Sequence, residues 1–295
     1  MRLVSYIPQD GSQAADCKGR TAVVTESGLV DLNRTDLGLP TCMRKLLKMG
    51  PDALEKARAV GEKGEAFSRD SVQLLAPLPR PGKIVCIGAN YADHARESGI
   101  EPPSEPVVFN KFPTAVLEPG GTVMLPSVSD RVDYEAELVV VLGRQGKNIP
   151  IENALDYVAG YTCGNDISAR DWQKGKPAKQ WLLGKTFDTF APFGPELVTK
   201  DEVGDPGQLD IQLRLNGETM QSSRTDLLIF SVPFLISYIS QICTFEPGDV
   251  LFTGTPQGVG DARTPPIYLQ DGDETEVEIE KIGVLRNKVQ RIDAS

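Results

Sequence analysis

Three acidic residues alternate along one short segment, Asp133-Tyr-Glu135-Ala-Glu137-Leu-Val-Val-Val-Leu142. Side chains of a β-strand alternate between its two faces, so a strand here places Asp133, Glu135 and Glu137 together, and the apolar run predicts that it enters the core. Buried carboxylates repel one another and lose hydration, costs that a divalent cation offsets. An all-carboxylate site favours a hard ion such as Mg²⁺, Mn²⁺ or Ca²⁺. The alternative is an exposed strand edge whose acids face water.

A second polar cluster ends an apolar strand pattern in Tyr161-Thr-Cys-Gly-Asn-Asp166-Ile-Ser-Ala-Arg170. Asp166 lies at the end of this strand and is the candidate third metal ligand. Arg170 carries a planar cation that could clamp a substrate carboxylate through two hydrogen bonds. The alternative for Asp166 is a turn-capping role, which is common for an Asp ahead of a Ser.

The chain has one histidine, His94, in the segment Asn90-Tyr-Ala-Asp-His94-Ala-Arg-Glu97. Asn90 is a plausible N-cap, and a helix that begins there places His94 and Glu97 one turn apart on one face. A carboxylate beside an imidazole orients the ring and raises its basicity, as a general base requires. The alternative is a surface helix with an incidental ion pair.

A proline-rich segment, residues 76–82, divides the chain and is predicted to be an extended linker. Residues 1–75 show short strand and helix patterns without a chemical motif, which predicts a small structural domain. Residues 83–295 are mainly β, with too few helices between strands for a Rossmann or barrel plan. The uncharged run 227–245 contains Pro233 and several polar residues, so we interpret it as a buried helix and not as a membrane span.

The composition predicts a soluble globular protein, since 40% of the 295 residues are hydrophobic and 24% are charged. A formal net charge of −10 argues against nucleic-acid binding. The N-terminus resembles neither a signal peptide nor an Arg-rich transit peptide, which predicts a cytoplasmic location, with the mitochondrial matrix as the alternative if a leader had been removed. Widely spaced cysteines predict reduced thiols and disfavour a zinc cluster at Cys17, Cys42, Cys86, Cys163 and Cys243.

Taken together, several segments resemble the fumarylacetoacetate hydrolase superfamily. They fall in order over residues 83–292: Gly88-Ala-Asn-Tyr-Ala-Asp-His94, Asp133-Tyr-Glu-Ala-Glu137-Leu, Asn165-Asp-Ile-Ser-Ala-Arg-Asp171, Gly184-Lys-Thr-Phe-Asp-Thr-Phe190 and Leu251-Phe-Thr-Gly-Thr-Pro-Gln-Gly-Val-Gly260. Three segments are similar to the fumarylacetoacetate hydrolase domain-containing protein 2 subgroup: Met1-Arg-Leu-Val4, Gln180-Trp-Leu-Leu-Gly-Lys-Thr-Phe-Asp-Thr-Phe190 and Arg263-Thr-Pro-Pro266.

The resemblance implies a mixed β-roll, so the predicted fold class is α+β, mainly β, with a small N-terminal α+β domain. It also implies a homodimer. An Mg²⁺ or Mn²⁺ ion is expected on Glu135, Glu137 and Asp166, with Ca²⁺ as an alternative in crystals. The other matched positions imply a catalytic role for His94, Glu97 and Lys185, and a substrate-binding role for Arg170, Gln173 and Thr255.

The expected substrate is a small 2-oxo or 1,3-dicarbonyl acid. Such an acid can chelate a divalent ion, and Lys185 would help to stabilise the enolate that develops at the keto oxygen. The family default, C–C bond hydrolysis of an acylpyruvate or fumarylpyruvate, is the main expectation. The alternatives are oxaloacetate tautomerisation, oxaloacetate decarboxylation and, in another class, metal binding without catalysis. Neither nucleic acid nor a membrane is an expected partner.

Overall fold

The computed structural model describes residues 1–8, 18–177 and 179–292. The strands are β1 (Arg2–Ile7), β2 (Arg20–Thr25), β3 (Gly28–Asp31), β4 (Gln73–Leu75), β5 (Ile84–Gly88), β6 (Val107–Lys111), β7 (Val116–Leu117), β8 (Thr122–Leu125), β9 (Val132–Asp133), β10 (Ala136–Leu142), β11 (Val158–Asn165), β12 (Ser168–Ala169), β13 (Ala191–Thr199), β14 (Asp210–Leu215), β15 (Glu218–Arg224), β16 (Val250–Phe252), β17 (Glu274–Ile279) and β18 (Gly283–Arg291). The α-helices are α1 (Leu32–Thr35), α2 (Met43–Lys48), α3 (Pro51–Lys63), α4 (Ala92–Glu97), α5 (Arg170–Gly175), α6 (Trp181–Lys185), α7 (Lys200–Val203) and α8 (Val232–Ile242).

Two large sheets form the body of the protein. The first has 11 strands in the order β3-β2-β1-β13-β11-β10-β16-β5-β6, with β4 paired to β1 and β7 to β13. The second has five strands in the order β15-β14-β17-β18-β8, and β9 pairs with β12 separately. Parallel pairs, such as β16 with β5 and β18 with β8, occur among antiparallel ones. The prediction of an α+β, mainly β fold with mixed sheets is confirmed.

Strand β10 lies at the centre of the first sheet and is buried on both faces, which explains its continuous apolar sequence. Leu138, Val140 and Leu142 pack in the same core cluster as helix α8. Val139 and Val141 pack on the other side, in the cluster that contains α2 and α3. Each buried Val or Leu contributes about 1.5–3 kcal/mol, so this strand is held firmly in one register.

The N-terminal residues share a sheet with the rest of the chain. Strand β1 pairs antiparallel with β13, with Arg2 opposite Val198 and Leu3 opposite Leu197. The division into a structural domain, 1–75, and a catalytic domain, 83–295, on either side of the linker remains a prediction.

Two local expectations near the acidic segment are wrong. The strand expected over the acidic segment is interrupted, because β9 ends at Asp133 and β10 begins at Ala136. Helix α4 has Tyr91 and not Asn90 as its N-cap. The Asn90 amide instead donates to the carbonyls of Phe230 and Thr253, contacts far away in sequence that short-range capping rules do not anticipate.

The expected buried helix in residues 227–245 is confirmed as α8. It begins after Ser231, with Pro233 in its first turn, and it buries Val232, Leu235 and Ile239. Among the helices of the described residues, none combines the length and apolar character that crossing a bilayer requires.

The cysteines differ in part from expectation. Cys86, Cys163 and Cys243 are free thiols, as predicted. Cys42 is disulfide-bonded, so the prediction of a reduced thiol is wrong there. Disulfide formation depends on the distance between residues in the fold, which spacing along the chain does not reveal. Cys17 lies outside the described residues.

Candidate active site

The pairing of β10 with β11 brings three acids together. Ala136 lies opposite Asn165 in this antiparallel pair, so the residues just outside it, Glu135 and Asp166, are neighbours. The backbone N–H of Asp166 donates to the carbonyl of Glu135 at 2.8 Å. Glu135, Glu137 and Asp166 are all buried, and one carboxylate oxygen from each lies within 4.8 Å of the others. The expected ligand set is therefore a single cluster.

Two of the cations that contact this cluster directly are expected site residues. The ammonium of Lys185, at the end of α6, lies 2.7 Å from Glu135 Oε2 and 2.9 Å from Asp166 Oδ2. The guanidinium of Arg170, at the start of α5, lies 2.7 Å from Glu135 Oε1 through Nη2. Both side chains are almost fully buried, so they neutralise the acids where water cannot.

The acids respond differently to this environment. Burial favours neutral Glu135, but the charges of Lys185 and Arg170 outweigh burial and lower its pKa. Burial and the charges of Asp166 and Glu135 raise the pKa of Glu137 well above its usual range. Burial opposes the charge on Lys185, yet Asp166 and Glu135 outweigh it and raise the Lys185 pKa. Glu137 is therefore the acid of the cluster whose negative charge this environment disfavours most.

A divalent cation fits this arrangement. The ligand cluster offers three carboxylates and only oxygen donors, the set that Mg²⁺ and Mn²⁺ prefer. Burial and the negative charges of Asp166 and Glu135 raise the pKa of Glu137, and a dication would offset both effects. Glu135, Glu137 and Asp166 would hold the ion.

Asp133 does not belong to this cluster, although strand alternation placed it with Glu135 and Glu137. Its carboxylate accepts the backbone N–H groups of Gly260 and Asp261 at 2.8 and 3.0 Å. It also pairs with Arg170 Nη2 at 2.7 Å. Because the strand is interrupted between β9 and β10, side chains do not alternate regularly from Asp133 to Glu137. Asp133 instead binds the loop that contains Gly260 and Asp261.

The loop after β16 is held by carboxylates from three parts of the chain. Besides the Asp133 contacts, the N–H of Gly254 donates to Glu137 Oε2 at 2.7 Å, and the N–H of Gly258 donates to Glu97 at 2.9 Å. Thr255, in the same loop, accepts a hydrogen bond from Gln221 at 2.8 Å. The loop that carries Thr255 is therefore fixed by the same acids that build the site.

His94 and Glu97 interact as predicted for one helical face. His94 Nδ1 lies 2.9 Å from Glu97 Oε1. A carboxylate oxygen can only accept a hydrogen bond, so the proton is assigned to Nδ1 of His94. Nε2 is then free to accept a proton. Such a ring is oriented for general-base work.

A cleft of about 210 Å³ collects most of the expected site residues. Its lining includes His94, Glu135, Arg170, Gln173, Lys185 and Thr255. The other three expected residues contact this group, since Glu97 binds His94, Asp166 binds Lys185, and Glu137 belongs to the ligand cluster. All nine residues thus form one site, and their individual roles remain predictions.

The expected substrate clamp, Arg170, is already engaged. It binds Asp133 and Glu135, and its Nη1 donates to Gln173 Oε1 at 3.0 Å. A two-bond grip on a substrate would compete with these contacts.

The structure also brings in Lys111, a buried lysine at the end of β6 that contacts Asp166 and was not expected from the sequence. Its other partners are far away in sequence, so no local pattern marks it.

The family assignment follows from residues 83–290, which match the model described as fumarylacetoacetate (FAA) hydrolase C-terminal. The chain belongs to this family. It is similar to oxaloacetate tautomerase FAHD2A, mitochondrial, of Bos taurus, with 49% identity over 263 residues that cover 89% of this chain and 84% of the relative. The expected likeness to the domain-containing protein 2 subgroup is confirmed, and the chain is an enzyme.

Two solved structures share the whole fold. Fumarylacetoacetate hydrolase from Exiguobacterium antarcticum is 34% identical, with a TM-score of 0.84 and coverage of 99% of this chain and 100% of that one. Maleylpyruvate hydrolase from Sphingobium sp. SYK-6, in complex with manganese(II) ion and pyruvate, is 29% identical, with a TM-score of 0.81 and coverage of 99% of each chain. The alternative of a metal-binding protein without catalysis is therefore dropped.

Proposed function

We propose that this protein is a divalent-metal-dependent oxaloacetate tautomerase, which interconverts the keto and enol forms of that acid. The observation that carries the proposal is one cleft lined by Glu135 of the carboxylate cluster, the Lys185 ammonium and the His94 ring. The similarity to a protein named oxaloacetate tautomerase supports this chemistry over the others that the site could perform. This choice replaces C–C bond hydrolysis as the main expectation.

Glu135, Glu137 and Asp166 would hold Mg²⁺ or Mn²⁺. When bound, the ion supplies a positive charge that orients the 2-oxo acid and polarises its keto group. Glu137 lies on β10, while Glu135 directly precedes β10 and Asp166 directly follows β11, so this buried strand pair sets the positions of all three carboxylates.

Proton transfer would use His94. Its Nε2 takes a proton from C3 of oxaloacetate, and the C3–H electron pair forms the C2–C3 double bond while the π pair of the C2 carbonyl moves onto its oxygen. The protonated ring then gives its Nε2 proton to that oxygen, which completes the enol. Glu97 keeps the proton on Nδ1, so the ring is ready to accept at Nε2. The reverse sequence returns the keto form.

Lys185 would stabilise the negative charge that develops at the C2 oxygen. An ammonium has three N–H donors, and Glu135 and Asp166 take two of them. The third is left for the substrate. A buried donor aimed at a developing oxyanion is worth more than the same donor in water.

C–C bond hydrolysis is the second candidate function. A maleylpyruvate hydrolase shares this fold throughout, and its structure contains manganese and pyruvate. In a hydrolase, His94 would activate water in place of taking a carbon-bound proton. Both reactions pass through an enolate of a 2-oxo acid, so the same residues would serve either.

The test follows enol absorbance and product mass together. Purified protein is given oxaloacetate, acylpyruvates and fumarylpyruvate, with Mg²⁺, with Mn²⁺ and after chelation by EDTA. Metal-dependent enol–keto exchange of oxaloacetate without fragments supports the proposal. Pyruvate released from oxaloacetate would identify a decarboxylase, cleaved acylpyruvate would identify a hydrolase, and either result without exchange would overturn the tautomerase assignment.

The family resemblance and the name of a relative bear on the assembly and location of the protein. We propose a homodimer, as the family resemblance implies, and light scattering on the purified protein tests it. The mitochondrial name of the similar bovine protein favours the matrix over the predicted cytoplasmic location.

A further inference from the structure

We infer that Lys111 is a positioning residue that sets the orientation of the metal ligand Asp166. The inference rests on the proposed function and deepens it, because it assigns a role in the metal centre to a residue that contacts a ligand of the ion and not the ion itself. Lys111 ends the edge strand β6, whose exposed residues Val108 and Asn110 give it an ordinary surface pattern. Lys111 itself is 1% exposed.

The Asp166 carboxylate is held between two lysines. Lys111 Nζ lies 2.5 Å from Asp166 Oδ1, and Lys185 Nζ lies 2.9 Å from Asp166 Oδ2. A carboxylate with a cation on each oxygen has little freedom to rotate. The oxygen that an ion would use is therefore presented in one direction.

The same ammonium joins the segments around the site. It donates to the carbonyls of Ile167 at 2.9 Å, Lys185 at 2.6 Å and Phe190 at 2.6 Å. These carbonyls lie next to a metal ligand, at the end of α6 and just before β13. Lys111 thus fixes the distance between the backbone that carries Asp166 and the backbone that carries Lys185.

A buried lysine at this position needs an explanation. Burial of a cation is costly unless it is paired, and an apolar residue usually packs as well. The ammonium of Lys111 contacts three backbone carbonyls and the carboxylate of one proposed metal ligand. Among the described residues, those that line the cleft do not include it. It therefore acts through Asp166 and Lys185 and does not touch the substrate.

The test compares Lys111→Met with wild-type protein in a Mn²⁺ titration followed by electron paramagnetic resonance of the free ion. Met has a similar length and no charge, so Asp166 loses one of its two anchors. We expect the dissociation constant for Mn²⁺ to rise about 10- to 100-fold, the usual effect of removing a residue that orients a metal ligand. Saturating Mn²⁺ should restore much of kcat, because the deficit lies mainly in metal binding.

Lys83→Met is the matched control. Lys83 Nζ lies 2.7 Å from Asp249 Oδ2 just before β5, the neighbour of β6, so this variant also loses a lysine–aspartate pair. Its Mn²⁺ affinity should equal that of the wild type. If Lys111→Met does not fold, Lys111→Gln takes its place under the same criteria.

Wild-type Mn²⁺ affinity in the folded Lys111 variant, or an equal loss in Lys83→Met, would overturn the inference. Failure of the wild-type protein to bind Mn²⁺ would overturn the metal centre and this role together. Normal wild-type binding without turnover of oxaloacetate would count against the tautomerase proposal alone, since the titration does not depend on turnover.

Discussion

The carboxylate of Glu97 accepts the backbone N–H of Gly258 at 3.0 Å and 2.9 Å through its two oxygens. Its Oε1 also lies 2.9 Å from Nδ1 of His94. One side chain therefore joins helix α4, which carries the proposed base, to the loop that carries Thr255. The orientation of the base and the position of the loop are linked through this contact.

The first prediction concerns the base and its partner. His94→Gln should lower kcat about 10²- to 10⁴-fold, the range for loss of a general base, while Mn²⁺ affinity is unchanged. Glu97→Gln should also lower kcat. Because the two residues act as a unit, the double variant should lose far less than the product of the single losses.

Steady-state kinetics and a Mn²⁺ titration check both variants. Asp93→Asn is the control, because Asp93 lies on the same helix in an exposed ion pair with Arg96. It should behave as the wild type. Strictly multiplicative losses in the double variant would show that His94 and Glu97 act independently.

The second prediction concerns the glycine at the Glu97 contact. Gly258 has a φ of +103°, and a Cβ built there would lie 2.3 Å from the carbonyl oxygen of Met220. Gly258→Ala must therefore displace the loop. We expect kcat/KM to fall about 100-fold, the scale of a displacement near 1 Å in an active site.

Gly272→Ala is the control that distinguishes the effect of a strained backbone from the effect of displacing a loop. Gly272 has a φ of +86°, but no heavy atom lies within 4 Å of a Cβ built there. This variant should be about 1 kcal/mol less stable with full activity. Thermal unfolding and initial rates measure both effects, and an active Gly258→Ala would contradict the role given to the loop.

The third prediction concerns the ligands. Glu137→Gln or Asp166→Asn should weaken Mn²⁺ binding by at least about 100-fold. Removing a residue that only orients a metal ligand costs up to about that much, and loss of the ligand itself should cost no less. Isothermal titration calorimetry measures the change. Asp249→Asn removes another fully buried carboxylate, remote from the cluster, and should leave the affinity intact. Undiminished binding in either ligand variant would exclude that residue from the metal centre.

The fourth prediction concerns the N-terminal residues. Arg20 Nε and Nη2 lie 2.6 and 2.7 Å from the buried Asp31 carboxylate, which also accepts the Tyr6 hydroxyl. Burial favours the neutral acid, but these hydrogen bonds outweigh it and lower the pKa of Asp31. The resulting stability is present above the unfolded pKa, about 4, and is lost as the pH falls through the lower folded pKa.

Asp31→Asn should therefore lower the free energy of unfolding by about 3 kcal/mol at pH 7, as for a broken buried pair. The difference from wild type should shrink below about pH 4. Urea unfolding at several pH values measures it. Asp210→Asn, which breaks an exposed pair with Arg224, should cost no more than about 0.5 kcal/mol. A difference for Asp31→Asn that persists unchanged at low pH would contradict this account.

Local patterns were sufficient for part of the site. The i, i+3 spacing of His94 and Glu97 is a property of a single helix. Two acids ahead of an apolar run correctly marked Glu135 and Glu137 as neighbours, although Glu135 lies just outside β10. Local rules failed for Asp133, because the strand is interrupted between β9 and β10. They also failed for Asn90, whose hydrogen-bond partners come from distant segments. Lys185 was expected only from the family resemblance.

Residue order therefore established the chemistry: which acids can hold a hard cation, which ring can accept a proton, and a mainly β core around them. These features follow from side-chain type and from the repeat of one element. Only the folded chain decided the arrangement, since strand register places Asp166 beside Glu135 and the acids hold the glycine loop. Lys111 shows the reason most clearly, because its backbone partners lie 56 to 79 residues away in sequence and meet it only when the sheet has formed.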